Sequence, residues 1–375
     1  MARKRFRERG DMRAWGGLAC VFVLLVTPVI FAIPAKAQPG EDQFGEVWVT
    51  NQDGGQLFIL HPRAVLHGGT METISLPAGT HPHITTFSPD GAFAYVADVG
   101  MGKLVVIRAT DRQIVTMLSI GMSGTHQAKP SPDGSLLLVA NMHDKTLTKV
   151  SADEAAESWN ILGNISLAKA PVCTVFRDDG LRAYVSLLPS GIAIVDVPTM
   201  AVLGTLPTDG FIACGMIKSH DGSTVFIAST GGGNTGCNPM TGVGTCPGHL
   251  YRLDTTTDTL TDRGLLDAGS WHSFNLLPNE KTAIGTAPAV DQIEIIDLAT
   301  STAVPFDLNP TPGTNNDRPD AIAVQGHTFF VSLRAAGKLA IFDMQTLTVE
   351  YIDLAPPSPF AIHGVAIRPY GAFPT

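Results

Sequence analysis

One turn motif recurs along the chain at intervals in the forties, and this spacing constrains the fold more than any other feature. The motif reads SPDG at 88–91 and 131–134, RDDG at 177–180 and SHDG at 219–222, with degenerate copies LPNE at 277–280, QG at 325–326 and RPYG at 368–371. From Gly91 onward the intervals are 43, 46, 42, 58, 46 and 45 residues. Asp-Gly turns between alternating apolar runs are typical of β-hairpins, so each interval predicts a unit of antiparallel strands.

Each interval holds four short runs of β-forming residues. In the unit at 82–121 they read HITTF, FAYVA, KLVVIR and IVTMLSI. A period near forty with four strands per unit predicts the blades of a β-propeller. The first unit lacks its inner strand, which appears at the other end of the chain as FAIHGVAIRPYG. We therefore predict an all-β, seven-bladed β-propeller of four-stranded antiparallel blades, closed by a C-terminal strand that completes the first blade.

The composition agrees with a folded domain and excludes two classes of protein. Only 16% of residues are charged and 44% are hydrophobic, which excludes a disordered chain. The 38 glycines and 26 prolines suit a fold with many tight turns. The formal net charge of −9 argues against a nucleic-acid partner, because phosphate binding needs a basic face.

The first 37 residues have the pattern of a secretory signal peptide. A basic segment at 2–13 precedes an apolar run at 14–34, and Ala35-Lys36-Ala37 offers a small-x-small cleavage site. Two prolines interrupt the apolar run, which favours cleavage over a retained membrane anchor. We predict a signal peptide at 1–37, a propeller at 38–375, a periplasmic or secreted location, and no membrane association after cleavage.

Four cysteines follow the predicted signal peptide, and an exported protein can form disulfides. Cys237 and Cys246 bracket a Gly/Thr/Pro-rich stretch, which predicts a bridge that closes a surface loop. Cys173 and Cys214 begin the inner strands of adjacent blades, within reach of a second bridge. A thiolate ligand or a redox pair is the alternative interpretation of Cys173 and Cys214.

Four of the eleven histidines fall on one position of the repeat. The first residue of each inner strand is expected at the mouth of the central tunnel, eight residues before the turn glycine; we call it the tunnel-mouth position. In blade 7 the turn is shorter, and the Pro-x-Ala pattern identifies the residue instead. In ring order, blades 6, 7, 1, 2 and 3 carry His272, Asp320, His363, His83 and His126, and blades 4 and 5 carry Val172–Cys173 and Cys214.

Imidazole rings that converge from several blades can bind one metal ion. We predict the four histidines as metal ligands and Asp320 as the catalytic residue, either a ligand or a proton acceptor. Several neutral imidazoles with few carboxylates in an exported protein favour copper, with zinc and iron as alternatives. The alternative interpretation is that each histidine only lines a wet tunnel. The prediction depends on register, because strand side chains in a propeller mostly face neighbouring blades.

Other candidates lie on the same face of the predicted propeller. Arg318 precedes Asp320 and could hold an anionic substrate, and His143 is a second substrate-binding candidate. The extra length of blade 5 is assigned to a loop at 231–251, which carries His249 and is interpreted either as a lid over the tunnel or as a surface insertion.

The stretches VWVTN (47–51), HPHITTFSPDG (81–91), AYVADVG (94–100), HQAKPSPDG (126–134) and LLVAN (137–141) resemble the YVTN-type, lactonase-like seven-bladed propeller repeat family. The resemblance covers essentially the whole chain after the signal peptide and implies the propeller fold. It does not specify an activity, because propellers of this type host several chemistries. Histidines at the inner ends of blades are also similar to exported copper propellers such as thiocyanate dehydrogenase and nitrous oxide reductase, which implies copper chemistry.

These observations leave several functions open. The first hypothesis is a copper-dependent oxidoreductase that acts on a small, anionic substrate and exchanges electrons with a periplasmic protein partner. The alternatives are a non-catalytic exported binding propeller and a lactonase-like hydrolase, with a haem d1-associated propeller as a more remote option. The absence of a C-x-x-C-H motif excludes covalently attached c-type haem.

Overall fold

The structure, a computed structural model, describes residues 45–209, 212–230, 248–266, 271–288, 290–308 and 317–369. Within these ranges, 28 strands form seven four-stranded antiparallel sheets, and one five-residue helix is present. The fold is therefore an all-β, seven-bladed propeller, as the sequence predicts. No helix in the described part of the chain is long and apolar enough to span a membrane.

The sheets follow one another along the chain, and blade 1 alone combines its two ends. Blade 1 contains β1 (Val47–Asn51), β2 (Gln56–Leu60), helix α1 (Pro62–Leu66), β3 (Glu72–Ser75) and β28 (Val365–Ile367). Blade 2 contains β4 (Pro82–Phe87), β5 (Phe93–Asp98), β6 (Lys103–Arg108) and β7 (Ile114–Ser119). Blade 3 contains β8 (Thr125–Pro130), β9 (Leu136–Asn141), β10 (Thr146–Asp153) and β11 (Ser158–Ser166).

The remaining four blades repeat this order without interruption. Blade 4 contains β12 (Ala170–Phe176), β13 (Arg182–Leu188), β14 (Ile192–Asp196) and β15 (Ala201–Leu206), and blade 5 contains β16 (Ile212–Lys218), β17 (Thr224–Thr230), β18 (Gly248–Asp254) and β19 (Thr259–Leu266). Blade 6 contains β20 (Ser273–Leu276), β21 (Thr282–Ala287), β22 (Gln292–Asp297) and β23 (Thr302–Phe306), and blade 7 contains β24 (Pro319–Gln325), β25 (Thr328–Leu333), β26 (Lys338–Asp343) and β27 (Thr348–Asp353).

The C-terminal strand closes the ring, which confirms the predicted clasp. Strand β28 pairs antiparallel with β1, with Val47 opposite Ile367 and Val49 opposite Val365. The strand order β28-β1-β2-β3 makes β28 the innermost strand of blade 1. The sheet edge that β1 would otherwise expose is thereby paired.

Apolar side chains from neighbouring blades form the core. Trp48 of blade 1 is fully buried, and its ring meets Phe87 of blade 2 edge-on with centroids 5.3 Å apart. Six further clusters of buried apolar residues surround the ring. This packing orients each sheet so that its inner strand lines the central tunnel.

Glu46 joins the clasp to blade 2. Its carboxylate lies 2.7 Å from Arg112 Nη2 and 3.1 Å from Arg368 Nη1, while Arg368 Nε donates to the carbonyl of Gly91 at 2.8 Å. Burial alone raises the pKa of Glu46, but hydrogen bonds from Arg112, Trp48 and Arg368 lower it below its ordinary value. The carboxylate is therefore ionised and paired with two cations at neutral pH.

Glu46→Gln is expected to lower the free energy of unfolding by about 1–2 kcal/mol at neutral pH, because Arg368 loses its carboxylate partner and Arg112 keeps only the more exposed Glu72. The folded pKa of Glu46 lies below the unfolded value, so its stabilisation is present above the unfolded value of 4.5 and is lost as pH falls through the folded pKa. The difference in Tm between wild type and variant should therefore shrink as the pH is lowered below about 4.

Thermal unfolding monitored by circular dichroism between pH 3 and 7 measures this effect. Asp353→Asn, which removes an exposed partner of Lys338, is the matched control and should leave Tm unchanged. Equal Tm values for wild type and Glu46→Gln at pH 7 would contradict the assignment of Glu46 to the clasp.

The predicted signal peptide and one predicted disulfide lie outside the described residues, and the predicted end of the blade 5 loop is corrected. The signal peptide at 1–37 and the Cys237–Cys246 bridge fall outside the described ranges. Residues 248–251 were predicted to belong to the blade 5 loop, but they begin strand β18, in which His249 is opposite Ser229 of β17. Strand β18, with the sequence GHLYRLD, pairs with β17 on one edge and with β19 on the other. His249 is therefore buried, and its Nδ1 lies 3.1 Å from Asp262 Oδ1.

A histidine–aspartate cluster at the tunnel mouth as a candidate metal centre

Local irregularities in the inner strands set the direction of the tunnel-mouth side chains. His83, His126 and Asp320 are the second residues of β4, β8 and β24, and the pairing register shifts at each of these places. A β-bulge turns a side chain out of the regular alternation of a strand. His272 and His363 lie just before β20 and β28, and their backbone N–H groups donate to the second strand of the blade.

Hydroxyl groups on the second strand of a blade hold the neighbouring backbone in place. Thr50 Oγ1 accepts a hydrogen bond from the N–H of Gly364 at 2.6 Å and donates to the carbonyl of His83 at 3.0 Å. Thr286 occupies the same position in blade 6 and joins its own inner strand to the carbonyl of Asp320 at 2.5 Å. Each hydroxyl thereby connects the tunnel-mouth positions of two adjacent blades.

The structure brings all five predicted residues together; we call them the histidine–aspartate cluster. The rings of His83 and His126 have centroids 4.4 Å apart, and those of His83 and His363 have centroids 3.8 Å apart. The rings of His272 and His363 are 5.6 Å apart and nearly perpendicular. The register prediction is confirmed, while the roles of these residues as ligands stay predictions.

Asp320 is fully buried at one end of the cluster, between two imidazoles. Its Oδ1 lies 2.8 Å from His272 Nδ1, and its Oδ2 lies 3.0 Å from His363 Nε2. By strict hydrogen-bond geometry, neither the two carboxylate oxygens nor the two ring nitrogens has a hydrogen-bond partner. One ligand atom from each residue lies within 4.8 Å of the others. Donor atoms at this spacing can share one metal ion, since metal–ligand bonds are about 2.0–2.2 Å long.

The electrostatics of the cluster favour metal binding at neutral pH. Burial lowers the pKa of His126 to about 3 and that of His363 to about 4, and burial together with the nearby His363 holds the pKa of His83 well below its ordinary value. These imidazoles are therefore neutral and keep a lone pair for a metal. Burial raises the pKa of Asp320, but the positive charges that His272 and His363 carry when protonated lower it overall, so the carboxylate is ionised.

His272 differs from the other three histidines. Burial lowers its pKa, but the adjacent charge of Asp320 outweighs that effect and raises the pKa above the ordinary value. A metal ion at this place would compete with a proton for His272 Nδ1.

Two residues of the site were missed in the sequence, and both directly follow the second strand of their blade. Gln52 follows β1, and its Oε1 lies 2.8 Å from His83 Nδ1. An N–H on Nδ1 that donates to Gln52 leaves His83 Nε2, which has no hydrogen-bond partner, available to a metal. Arg334 follows β25, and its Nη1 lies 3.7 Å from Asp320 Oδ2.

The two predicted substrate-binding residues stay predictions. The backbone N–H of Arg318 donates to Asp291, and its carbonyl accepts from the N–H of Arg334. His143 is exposed, with Nδ1 2.8 Å from the hydroxyl of Ser123. Across the described ranges, no side-chain hydrogen bond or ion pair joins Arg318 or His143 to the cluster.

The predicted Cys173–Cys214 bridge is not supported, because Cys173 is a free thiol in the structure. The register of β12 shifts between Pro171 and Thr174, and Ser186 Oγ accepts the N–H of Cys173. This bulge puts Cys173 on the wall of the tunnel. Burial raises the pKa of the Cys173 thiol to about 12, so the thiolate interpretation is also disfavoured at neutral pH.

The cluster borders the central cavity of the ring. The cavity has a volume of about 150 Å³, and residues from all seven inner strands line it. His126, His272 and His363 belong to its wall, together with apolar residues such as Val172 and Phe274. A small molecule in this cavity would therefore contact both the imidazoles and an apolar surface.

Comparisons with known proteins support the fold. No protein-family model matches the chain, and no curated protein sequence matches it significantly. A chain of Kuenenia stuttgartiensis hydrazine synthase is similar in structure, with a TM-score of 0.66 and 16% identity, over 80% of this chain and 92% of that one. The chain shares its propeller fold with enzymes.

A second structure extends the comparison. The dihydro-heme d1 dehydrogenase NirN, in complex with DHE, matches with a TM-score of 0.57 and 15% identity, over 90% of this chain and 78% of that one. At these identities the similarity concerns the fold alone. The resemblance to the YVTN-type repeat family is not confirmed.

Proposed function

We propose that the histidine–aspartate cluster binds a transition-metal ion, with copper preferred, and that the protein is an exported oxidoreductase acting on a small substrate at the tunnel mouth. One observation carries the proposal: ligand atoms of His272, Asp320 and His363 converge within 4.8 Å, and none of them is used in a hydrogen bond. Buried polar atoms in proteins are seldom left without partners unless they have another role.

The donor set supports copper, zinc or iron over a hard cation. Imidazole suits copper, zinc and iron, whereas calcium and magnesium prefer sets of oxygen ligands. Asp320 is the one carboxylate that the described residues bring into the cluster, which supports a lactonase-like hydrolase less well. The two similar structures described above are enzymes, one of them a dehydrogenase, which fits redox chemistry.

The residues of this chain have separate tasks in the proposed centre. The four histidines and Asp320 would hold the ion, and the ion would supply redox or Lewis-acid chemistry when bound. Gln52 orients His83 through its Nδ1, and Asp320 supplies the negative charge that offsets part of the metal's charge. The apolar part of the cavity wall excludes water from the substrate.

Location and partner are part of the proposal. The sequence pattern of residues 1–37 supports export, and the acidic net charge argues against a nucleic-acid partner. In the periplasm or outside the cell, an oxidoreductase needs an electron-transfer protein or a small acceptor of that compartment.

Elemental analysis and a visible spectrum of the full chain purified without chelator test the proposal. We expect about one copper ion or more per chain after reconstitution, and a loss of metal affinity of about 100-fold in His363→Gln. His220→Gln, which alters an exposed histidine beside Glu280, is the control and should bind metal like the wild type. A wild-type chain that takes up neither copper, zinc nor iron would overturn the proposal, and metal binding without turnover of redox dyes would favour the non-catalytic alternative.

A further inference from the structure

Arg334 is a fully buried arginine beside the cluster. It directly follows β25 and is only 1% exposed, and its backbone N–H donates to the carbonyl of Arg318 at 3.0 Å. Its guanidinium carbon lies 5.0 Å from the ring centroid of Phe360. Burying an arginine costs free energy unless its charge and its donors are satisfied.

The donors of Arg334 are not satisfied within the described structure. Its Nε and Nη1 are buried and have no hydrogen-bond partner. Asp320 is the one carboxylate within ion-pair distance in the described ranges, and Nη1 approaches its Oδ2 only to 3.7 Å. The guanidinium therefore faces the cluster with unused N–H groups rather than forming a close two-bond pair with Asp320.

The charges of the proposed centre are unbalanced in the positive direction. Asp320 is the one carboxylate that the described residues bring into the cluster, and its single negative charge offsets that of Arg334. A divalent ion at the cluster adds two positive charges that no other described residue balances. A buried site with this excess favours an anionic ligand.

We propose that Arg334 recognises a small monovalent oxyanion, such as a carboxylate, that binds between its guanidinium and the metal ion. The two unpartnered donors, Nε and Nη1, suit the oxygens of an anion, and the near-complete burial of the guanidinium favours a small one. This inference rests on the proposed metal centre and names the chemical class of its substrate. It also assigns substrate recognition to Arg334 instead of Arg318.

Calorimetric titration of the copper-loaded full chain with sodium formate tests the inference, with the metal content measured on each sample. We expect formate to bind the loaded wild type at least tenfold more tightly than Arg334→Lys, which keeps the charge but loses the planar fork. Arg334→Met should lose formate binding altogether. Arg108→Lys, an exposed arginine paired with Glu157, is the control and should bind formate like the wild type.

The outcomes separate the two proposals. If Arg334→Lys holds copper and binds formate as tightly as the wild type, the role of Arg334 is wrong while the metal centre stands. If the wild type takes up no metal, both proposals fail. If Arg334→Met does not fold, Arg334→Lys and Phe360→Leu still measure the contribution of Arg334 to formate binding. Arg334→Lys replaces the guanidinium but keeps a positive charge, and Phe360→Leu removes the aromatic ring beside the guanidinium.

Discussion

Replacing Asp320 with asparagine is expected to weaken metal binding strongly and to destabilise the folded chain. The carboxylate lies 2.8 Å from His272 Nδ1 and 3.0 Å from His363 Nε2, and it is the nearest negative charge to Arg334. Without it, a buried guanidinium loses its counter-charge, which costs about 3 kcal/mol of unfolding free energy. The metal affinity should fall by about 100-fold or more, because an anionic ligand is lost.

Metal content and chemical denaturation of the metal-free chain measure the two effects separately. Asp98→Asn is the matched control, since Asp98 is equally buried but accepts backbone N–H groups of His81, Gly100 and Met101 in a turn of blade 2. The control should lose stability yet keep its metal affinity. Wild-type metal affinity in Asp320→Asn would show that the carboxylate is not a ligand.

Gly364→Ala is expected to lower stability by about 3 kcal/mol and to weaken metal binding together. A Cβ atom at Gly364 would lie 2.4 Å from the carbonyl oxygen of His83 and 3.2 Å from Thr50 Oγ1. The contact with His83 is with backbone, so the inner strands of blades 1 and 2 would have to move apart. This movement would widen the spacing of His83 and His363, whose ring centroids are 3.8 Å apart.

Gly204→Ala provides the comparison, because nothing lies within 4 Å of a Cβ atom at that place in β15. The control should leave both Tm and metal affinity unchanged or should raise Tm slightly, since alanine restricts the unfolded chain. A Gly364→Ala chain with wild-type Tm would show that the two inner strands tolerate separation, and the close approach would then have no structural role.

The fold could be predicted because its signals are local and repeated. Each of the four Asp-Gly turns specifies a hairpin by itself, and together with three degenerate copies at intervals of 42 to 58 residues they specify the ring. The tunnel-mouth residues followed from the same register, since one offset from the turn selects His83, His126, His272 and His363. The closing strand followed from the absence of an inner strand in the first unit.

The remainder of the site depends on contacts that the repeat does not encode. Gln52 and Arg334 share a position in their blades, but the corresponding residues of the other blades differ, so no pattern marked them. Their contacts with His83 and Asp320 exist only because the ring brings distant segments together. The Cys173–Cys214 bridge was predicted from adjacent strand starts, whereas the bulge in β12 redirects Cys173 into the tunnel wall.

The place of His363 in the closing segment has a consequence for biosynthesis. A chain made from its N-terminus exposes His83, His126, His272 and Asp320 before His363, which reaches the others only when β28 docks on β1. A nascent or prematurely terminated polypeptide therefore lacks His363 among the donors of the proposed metal centre. The complete centre would bind its ion only after translation and folding have both finished.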